Sequence, residues 1–301
     1  MAKFNAPDPR NNGTFVWVNG LVKREEAAVS PLDSVVQGGD AVWEGLRVRE
    51  GHVIQFAEHA ERLVDSAKAL AFAEVPGVEQ VWSAVEETLK ANQMRDSVHI
   101  RLTLSRGKKS TSGMDPRLNV FGPTLIILPE YKGRVYGDDG LTLVTASIRR
   151  NAPSFLDSKI HHNNLLNNIL AKIEANVAGA DDAVMLDERG FLAETNATNL
   201  FLVTNGVLKT PRATACLPGL TRRYVLASAA VLGIETVETD LSLTELYTAD
   251  EAFATGTMGD LAHIERVDGR ALPDGGPGPI TQQLKRYYAQ HILETARALN
   301  F

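Results

Sequence analysis

Cysteine is almost absent: Cys216 is the only one in 301 residues. No intramolecular disulfide can form, and a reducing compartment is expected. No apolar run is long enough to span a bilayer, and the opening Met1-Ala2-Lys3-Phe4-Asn5 is polar, without a signal-peptide core. The expected location is therefore cytoplasmic. Basic tracts are missing as well. The formal charge is −6, and no Lys/Arg run is interleaved with aromatics, which argues against nucleic acid as a partner. What is present, 44% hydrophobic and 23% charged residues, is ordinary for a soluble globular protein. The length exceeds the usual single-domain range, so two domains are expected.

Periodicity gives an α+β pattern. Phe15 to Val18, Asn19-Gly20 and Leu21-Val22 read as a hairpin. Apolar residues at Phe56, Ala60, Leu63, Val64, Ala67 and Leu70 form a helical stripe, and Val78 to Leu89 repeats that character. Val98 to Leu104 alternates like a strand with one polar face, and Thr124 to Leu128 is a short apolar strand. The polar, glycine-rich stretch 130–140 is the best linker, dividing a small domain (1–129) from a larger one (141–301). In the larger half, Leu141 to Ile148 reads as a strand. A helix follows with Leu166, Ile169, Leu170, Ile173 and Val177 on one face, in a pattern expected to be mostly buried. Hairpins are expected around 187–190 and at Asn205-Gly206. Helices are expected at 219–232 and 280–299, with a strand from Glu251 to Thr255.

The chemistry centres on Ser158-Lys159-Ile160-His161-His162-Asn163-Asn164 and Glu194-Thr195-Asn196-Ala197-Thr198-Asn199. An amine can hold an aldehyde cofactor as a Schiff base, and a carboxylate can keep a pyridine nitrogen protonated; pyridoxal phosphate enzymes need both. A phosphate also needs amide donors. Leu217-Pro218-Gly219-Leu220-Thr221-Arg222 puts a glycine and a hydroxyl in the first turn of a helix. Thr255-Gly256-Thr257-Met258-Gly259 makes a second glycine- and hydroxyl-rich turn. Taken alone, Lys159 reads more readily as a surface lysine at a helix start and Glu194 as a solvated strand end, and Arg62 as a helical partner of Glu58. His161-His162 would point in different directions on a helix, and no third ligand has metal spacing, so no metal site is expected. No nucleophile elbow and no dinucleotide glycine motif occurs.

Taken in order, Val42-Trp43-Glu44-Gly45-Leu46-Arg47, His59-Ala60-Glu61-Arg62-Leu63, Lys159 with Asn163-Asn164-Leu165-Leu166, Ala193 to Phe201, Leu217 to Arg222 and Ala249 to Thr257 resemble the fold-type IV pyridoxal phosphate enzymes. The match is with the branched-chain aminotransferases and branched-chain-aminotransferase-like proteins. The resemblance implies a small α+β domain, a larger one with a β-barrel-like core, and a homodimer or larger assembly in which the neighbouring subunit helps close the site. It implies pyridoxal 5'-phosphate as cofactor, with Lys159 as Schiff-base lysine and Glu194 at the pyridine nitrogen. Arg62, Leu220 (through its N–H), Thr221 and Thr257 would hold the phosphate. Asn164 stands where many members carry a tyrosine that reaches the cofactor's ring oxygen. Gly38, Trp43, His99, Arg101, Tyr131 and Met258 fall on substrate-pocket positions, several of them departing from the family's usual residues. The implied activity is amino transfer between an amino acid, branched-chain favoured, and a 2-oxo acid such as 2-oxoglutarate. A D-amino-acid or (R)-amine transaminase and a 4-amino-4-deoxychorismate lyase are alternatives. So is a non-catalytic protein that kept the fold.

Overall fold

The computed structural model describes residues 7–137, 139–273 and 275–301. The polar start Met1–Asn5 and Asp138 of the linker stretch lie outside them. Contacts divide the chain into two units. One contains the described residues up to Gly133 with Ile160–Asn164 and Leu293–Phe301; the other contains Arg134–Lys159 and Leu165–Ile292.

The first unit begins with the hairpin β1 (Phe15–Val18) and β2 (Leu21–Lys23). Asn19 turns it with a φ of 51°, the left-handed conformation that an Asn-Gly turn supplies. Then follow α1 (Ser34–Gly38), β3 (Ala41–Arg49), β4 (His52–Val53), α2 (Phe56–Ala69), α3 (Val78–Ala91), β5 (Val98–Ser105) and β6 (Thr124–Tyr131). With the short strand Arg297–Ala298 they form a seven-stranded antiparallel sheet. Its order is Arg297–Ala298, β4, β3, β5, β6, β1, β2. The period-two alternation of β3 and β5 sends Leu46, Val48, Ile100, Leu102 and Leu104 inward. There they pack with Phe56, Leu63, Val81, Val85 and Leu89 of the two helices. Each such side chain contributes about 1.5–3 kcal/mol by burial. The opposite face of the same strands carries Trp43, Gly45, Arg47, His99 and Arg101, which are the residues left for chemistry. At its start β3 is flanked by 160–164: Trp43 N–H donates to His161 O and Asn163 N–H to Ala41 O, both at 2.9 Å.

The second unit runs through β7 (Leu141–Thr145), α4 (Leu166–Ala178), β8 (Asp182–Leu186), β9 (Leu192–Thr195), β10 (Asn199–Thr204), β11 (Val207–Pro211) and α5 (Leu220–Val231). It continues with β12 (Thr236–Thr239), α6 (Leu243–Tyr247), β13 (Glu251–Gly256), β14 (Asp260–Val267), β15 (Arg270–Ala271) and α7 (Pro279–His291). Its nine-stranded sheet is ordered β12-β11-β10-β13-β14-β7-β8-β9, with β15 beside β14. The pairs β7–β8, β7–β14 and β11–β12 are parallel. Helices α4 and α5 supply the crossovers that parallel neighbours require. β9 runs back against β10 and β11, so the sheet curls toward a barrel.

Four sequence expectations change. The stripe Leu166, Ile169, Leu170, Ile173 and Val177 on α4 is exposed rather than buried; the helix docks instead through Ala171 and Ala175 onto Ala146, Ala183 and Met185. Small side chains let that helix approach closely, and the large ones are left outside. His161-His162 is not helical but lies in the segment beside β3, with Val42 bridged to His162. The closing helix stops at His291, and the chain after Thr295 returns as a sheet strand. β6 continues through Tyr131, because its register with β5 persists to Val98.

Candidate active site

In the second unit, Glu194 sits on β9 and is buried. Its Oε1 accepts from Arg150 Nε at 2.6 Å and its Oε2 from Asn199 Nδ2 at 3.2 Å. Arg150 supplies the counter-charge that a buried carboxylate needs. Asn168 accepts from Arg150 Nη1 at 3.2 Å and donates to Asn196 O at 2.7 Å, fixing the guanidinium from behind. Asn199 links this carboxylate to the Leu217-Pro218-Gly219 turn by donating to Leu217 O at 2.9 Å. Gly219 is required there, since a Cβ on it would lie 2.1 Å from Asn199 Oδ1. Gly219 then starts α5 without a side-chain cap. The first-turn amides of Leu220 and Thr221, both buried residues, form the electropositive end of a twelve-residue helix.

Thr257 and Met258 lie half-buried in the turn between β13 and β14. Gly259 passes against Tyr136, where a Cβ would come within 2.7 Å of the ring. In the same turn region the buried Thr255 Oγ1 has no hydrogen-bond partner among the described residues. Lys159 is well exposed, its Nζ 2.9 Å from Asp157 Oδ1. It is electrostatically coupled to the buried Cys216, whose thiol burial pushes up to about 12, with Glu194 adding to the rise and Arg222, Arg150 and Lys159 opposing it. Lys159, Glu194, Arg150 and Arg222 thus all act electrostatically on one buried cysteine.

In the first unit, Arg62 pairs with Glu44 rather than with Glu58. Its Nε donates to Glu44 Oε1 at 2.8 Å and its Nη2 to Oε2 at 2.7 Å. Glu44 is fully buried and also accepts from His59 Nδ1 at 2.6 Å and His161 Nδ1 at 3.0 Å. Burial opposes its ionisation, yet His161, Arg62 and their hydrogen bonds hold the carboxyl well below the usual range. Burial pushes the His161 imidazole down to about 4 against the pull of Glu44.

His161 packs against Trp43 with ring centroids 4.1 Å apart and the planes tilted by 41°, and Arg101 lies 3.4 Å from the centroid of the Trp43 ring. Arg101 also donates to Asn163 Oδ1 at 2.8 Å. Burial lowers Arg101 to about 10, still cationic at neutral pH, while burial takes His99 to about 4, with the nearby Lys132 adding to the fall. At neutral pH the two are therefore a cation and a neutral ring. Asn164 Nδ2 donates to Gly39 O at 3.1 Å. Gly38 ends α1 with open space beside it. Tyr131 closes β6 beneath Arg10, whose guanidinium is 4.1 Å from its ring.

The first unit thus gathers Trp43, Arg101 and the 160–164 segment, and it keeps Tyr131 with Arg10 and Asn11. Arg150, Asn199, Glu44 and His161 were assigned no role from sequence. The run of polar residues around positions 161–168 was the one available signal, because residues so rich in asparagine seldom fill a helix start without bonding to backbone.

The profile of the family Amino-transferase class IV matches residues 41–267. The branched-chain-amino-acid aminotransferase-like protein 2 of Arabidopsis thaliana is 54% identical over 94% of this chain and 51% of its own length. A putative branched-chain-amino-acid aminotransferase of Methanocaldococcus jannaschii is 40% identical over 91% of this chain and 94% of its own. Among solved structures, the branched-chain aminotransferase of the thermophilic archaeon Thermoproteus uzoniensis with norvaline superposes with a TM-score of 0.86 at 33% identity, covering 95% of this chain and 99% of the other. The chain belongs to the class IV aminotransferases, with the fold-type IV architecture of its structural neighbours. It spans about half the length of the Arabidopsis relatives it matches.

Proposed function

We propose that the chain moves the amino group of a branched-chain amino acid onto a 2-oxo acid such as 2-oxoglutarate, using pyridoxal 5'-phosphate. The observation that carries this is the buried Glu194, fixed by Arg150 and Asn199 beside the uncapped start of α5. A pyridine nitrogen and a phosphate need those two environments, and the partnerless Thr255 hydroxyl nearby fits a polar guest. The residues suit the group. When bound, it accepts the electron pair left as the substrate carbon loses its proton.

Lys159 would carry the covalent link and shuttle the proton through Nζ. Glu194 would hold a proton on the ring nitrogen, its own charge oriented by Arg150. The amides of Leu220 and Thr221, the Thr221 and Thr257 hydroxyls and Arg62 would hold the phosphate. Asn164 would stand at the ring oxygen. Gly38, Trp43, His99, Arg101, Tyr131 and Met258 would shape the substrate pocket, with Arg101 as its cation. The division at 130–140 would separate a small domain (1–129) from a larger one (141–301).

A second copy of the chain is the proposed partner, supported by the uncovered stripe on α4, because contiguous exposed apolar surface marks an association site. The chain would work in the cytoplasm. Among the described residues no helix is long and apolar enough to cross a membrane.

Purified protein should show a visible cofactor band and transaminate L-leucine faster than D-alanine, a chiral amine or aminodeoxychorismate. Lys159→Ala should abolish turnover and leave no borohydride-fixed cofactor. A variant with near-normal turnover would remove Lys159 from the chemistry, and a preference for D-alanine would replace the substrate class.

A further inference from the structure

The four-bond hub on Glu44 lies beneath a residue proposed to hold phosphate, and nothing in the proposed chemistry uses it. Each carboxylate oxygen takes one guanidinium N–H and one imidazole N–H: Oε1 from Arg62 Nε and His161 Nδ1, Oε2 from Arg62 Nη2 and His59 Nδ1. The three partners come from α2 and from the segment immediately after Lys159. We infer that Glu44 is a positioning residue for the cofactor phosphate, acting by fixing the plane of the Arg62 guanidinium. This rests on the reading that Arg62 meets phosphate.

The geometry explains why only a carboxylate serves. Four donors converge on Glu44 and it accepts from all of them. An amide in its place would turn an NH2 toward one guanidinium N–H and one imidazole N–H, so Arg62 would lose one arm of its fork whichever way the amide pointed. A bidentate arginine–carboxylate pair fixes orientation as well as charge. Two electrostatic effects then compete. Removing the Glu44 charge leaves Arg62 uncompensated and favours an anion, whereas breaking the fork lets the guanidinium rotate away. Arg62 is mostly buried, its side chain 15% exposed, so its donors meet a guest only along the direction the fork dictates, and loss of orientation dominates. His161 extends the effect: it holds the chain just past Lys159 to the same carboxylate that holds Arg62.

The test compares pyridoxal 5'-phosphate with pyridoxal, which lacks the phosphate, by titrating the dialysed full chain and following absorbance. Wild type should prefer the phosphorylated form strongly. Glu44→Gln should reduce that preference roughly tenfold or more, the loss of one charge-assisted hydrogen bond, while leaving pyridoxal affinity near wild type. In an Arg62→Ala background the same change should leave the preference unaltered, since Glu44 acts through Arg62. Arg62→Lys keeps the charge but loses the fork and leaves Glu44 with a cation, so it tests the idea even if Glu44→Gln does not fold. It too should reduce the preference about tenfold.

A preference that holds or rises in Glu44→Gln, or holds in Arg62→Lys, overturns the inference. So does a full Glu44→Gln effect in the Arg62→Ala background, or an equal loss for both ligands. If wild type itself binds the two forms alike, the phosphate reading of Arg62 falls and takes Glu44 with it.

Discussion

Each unit buries one glutamate against one arginine, and the two are built differently. Glu44 draws its partners from residues 15, 18 and 117 positions away and accepts bonds from two imidazoles as well as a guanidinium. Glu194 draws on Asn199, five positions away, and on Arg150. The first is the hub of a sheet face, helix α2 and a returning segment. The second sits at a strand end, takes its cation from forty-four positions earlier, and also anchors the turn opening α5. A buried charge is costly unless it is paired and hydrogen-bonded, and the two sites meet that cost with different donors. At the Glu44 site His161, whose imidazole burial pushes down to about 4, brings in a group that responds to acid.

The largest effect expected from breaking this pairing is at Arg150. Arg150→Ala leaves Glu194 buried without its cation, which should cost about 3–5 kcal/mol of stability. Glu194→Gln should cost less in stability but cut turnover at least a hundredfold, because a neutral amide no longer favours a protonated ring nitrogen. Urea unfolding and single-turnover rates check both. An Arg150→Ala protein as stable as wild type would show that Glu194 finds other compensation.

Acid separates the two units next. His161 and His99 fall from their ordinary 6.5 to about 4 in the folded chain. Below pH 6.5 the unfolded chain takes up protons that the folded chain does not, so stability decreases as pH drops from about 6.5 to about 4. The ceiling is on the order of 3 kcal/mol per histidine. The lowered Glu44 works in the same direction at lower pH. Asp182 in the second unit is shifted the other way, raised by burial despite hydrogen bonds from Tyr136 and Thr195. A folded acid with a raised pKa binds more protons than the unfolded chain, so its contribution improves as pH falls through that range. Hydrogen exchange at pH 6.5 and 4.5, corrected for intrinsic rates, should show protection lost in β3 and β5 before β8 and β9. Equal loss in both sheets would refute the contrast.

The smallest effect on the isolated chain is expected on α4. Ile173→Glu replaces a half-exposed side chain on the uncovered stripe, so the isolated chain should change by no more than about 0.5 kcal/mol. Sedimentation should nonetheless show a loss of association. An unchanged assembly would free that face from the interface.

The periodicities of α2, α3, β3 and β5 were legible because local alternation and the burial it produces agree there. The family was legible because the short segments around Lys159, Glu194, Leu220 and Thr257 fall in the family's order within the matching stretch 41–267. The stripe on α4 misled for a physical reason: a 3.6-residue apolar period states that one face avoids water, not which surface covers it. Here alanines face the sheet and the large side chains face outward. The partner of Arg62 was unreadable because Glu58 is one helical turn away in sequence, while Glu44 arrives only when β3 packs beside α2. Sequence alone determined most of the helices and strands, the candidate lysine and carboxylate, and the order of the motifs. Only the tertiary structure decided which cation neutralises which buried carboxylate, because those cations arrive from eighteen and forty-four positions away, on elements that meet only in the folded chain.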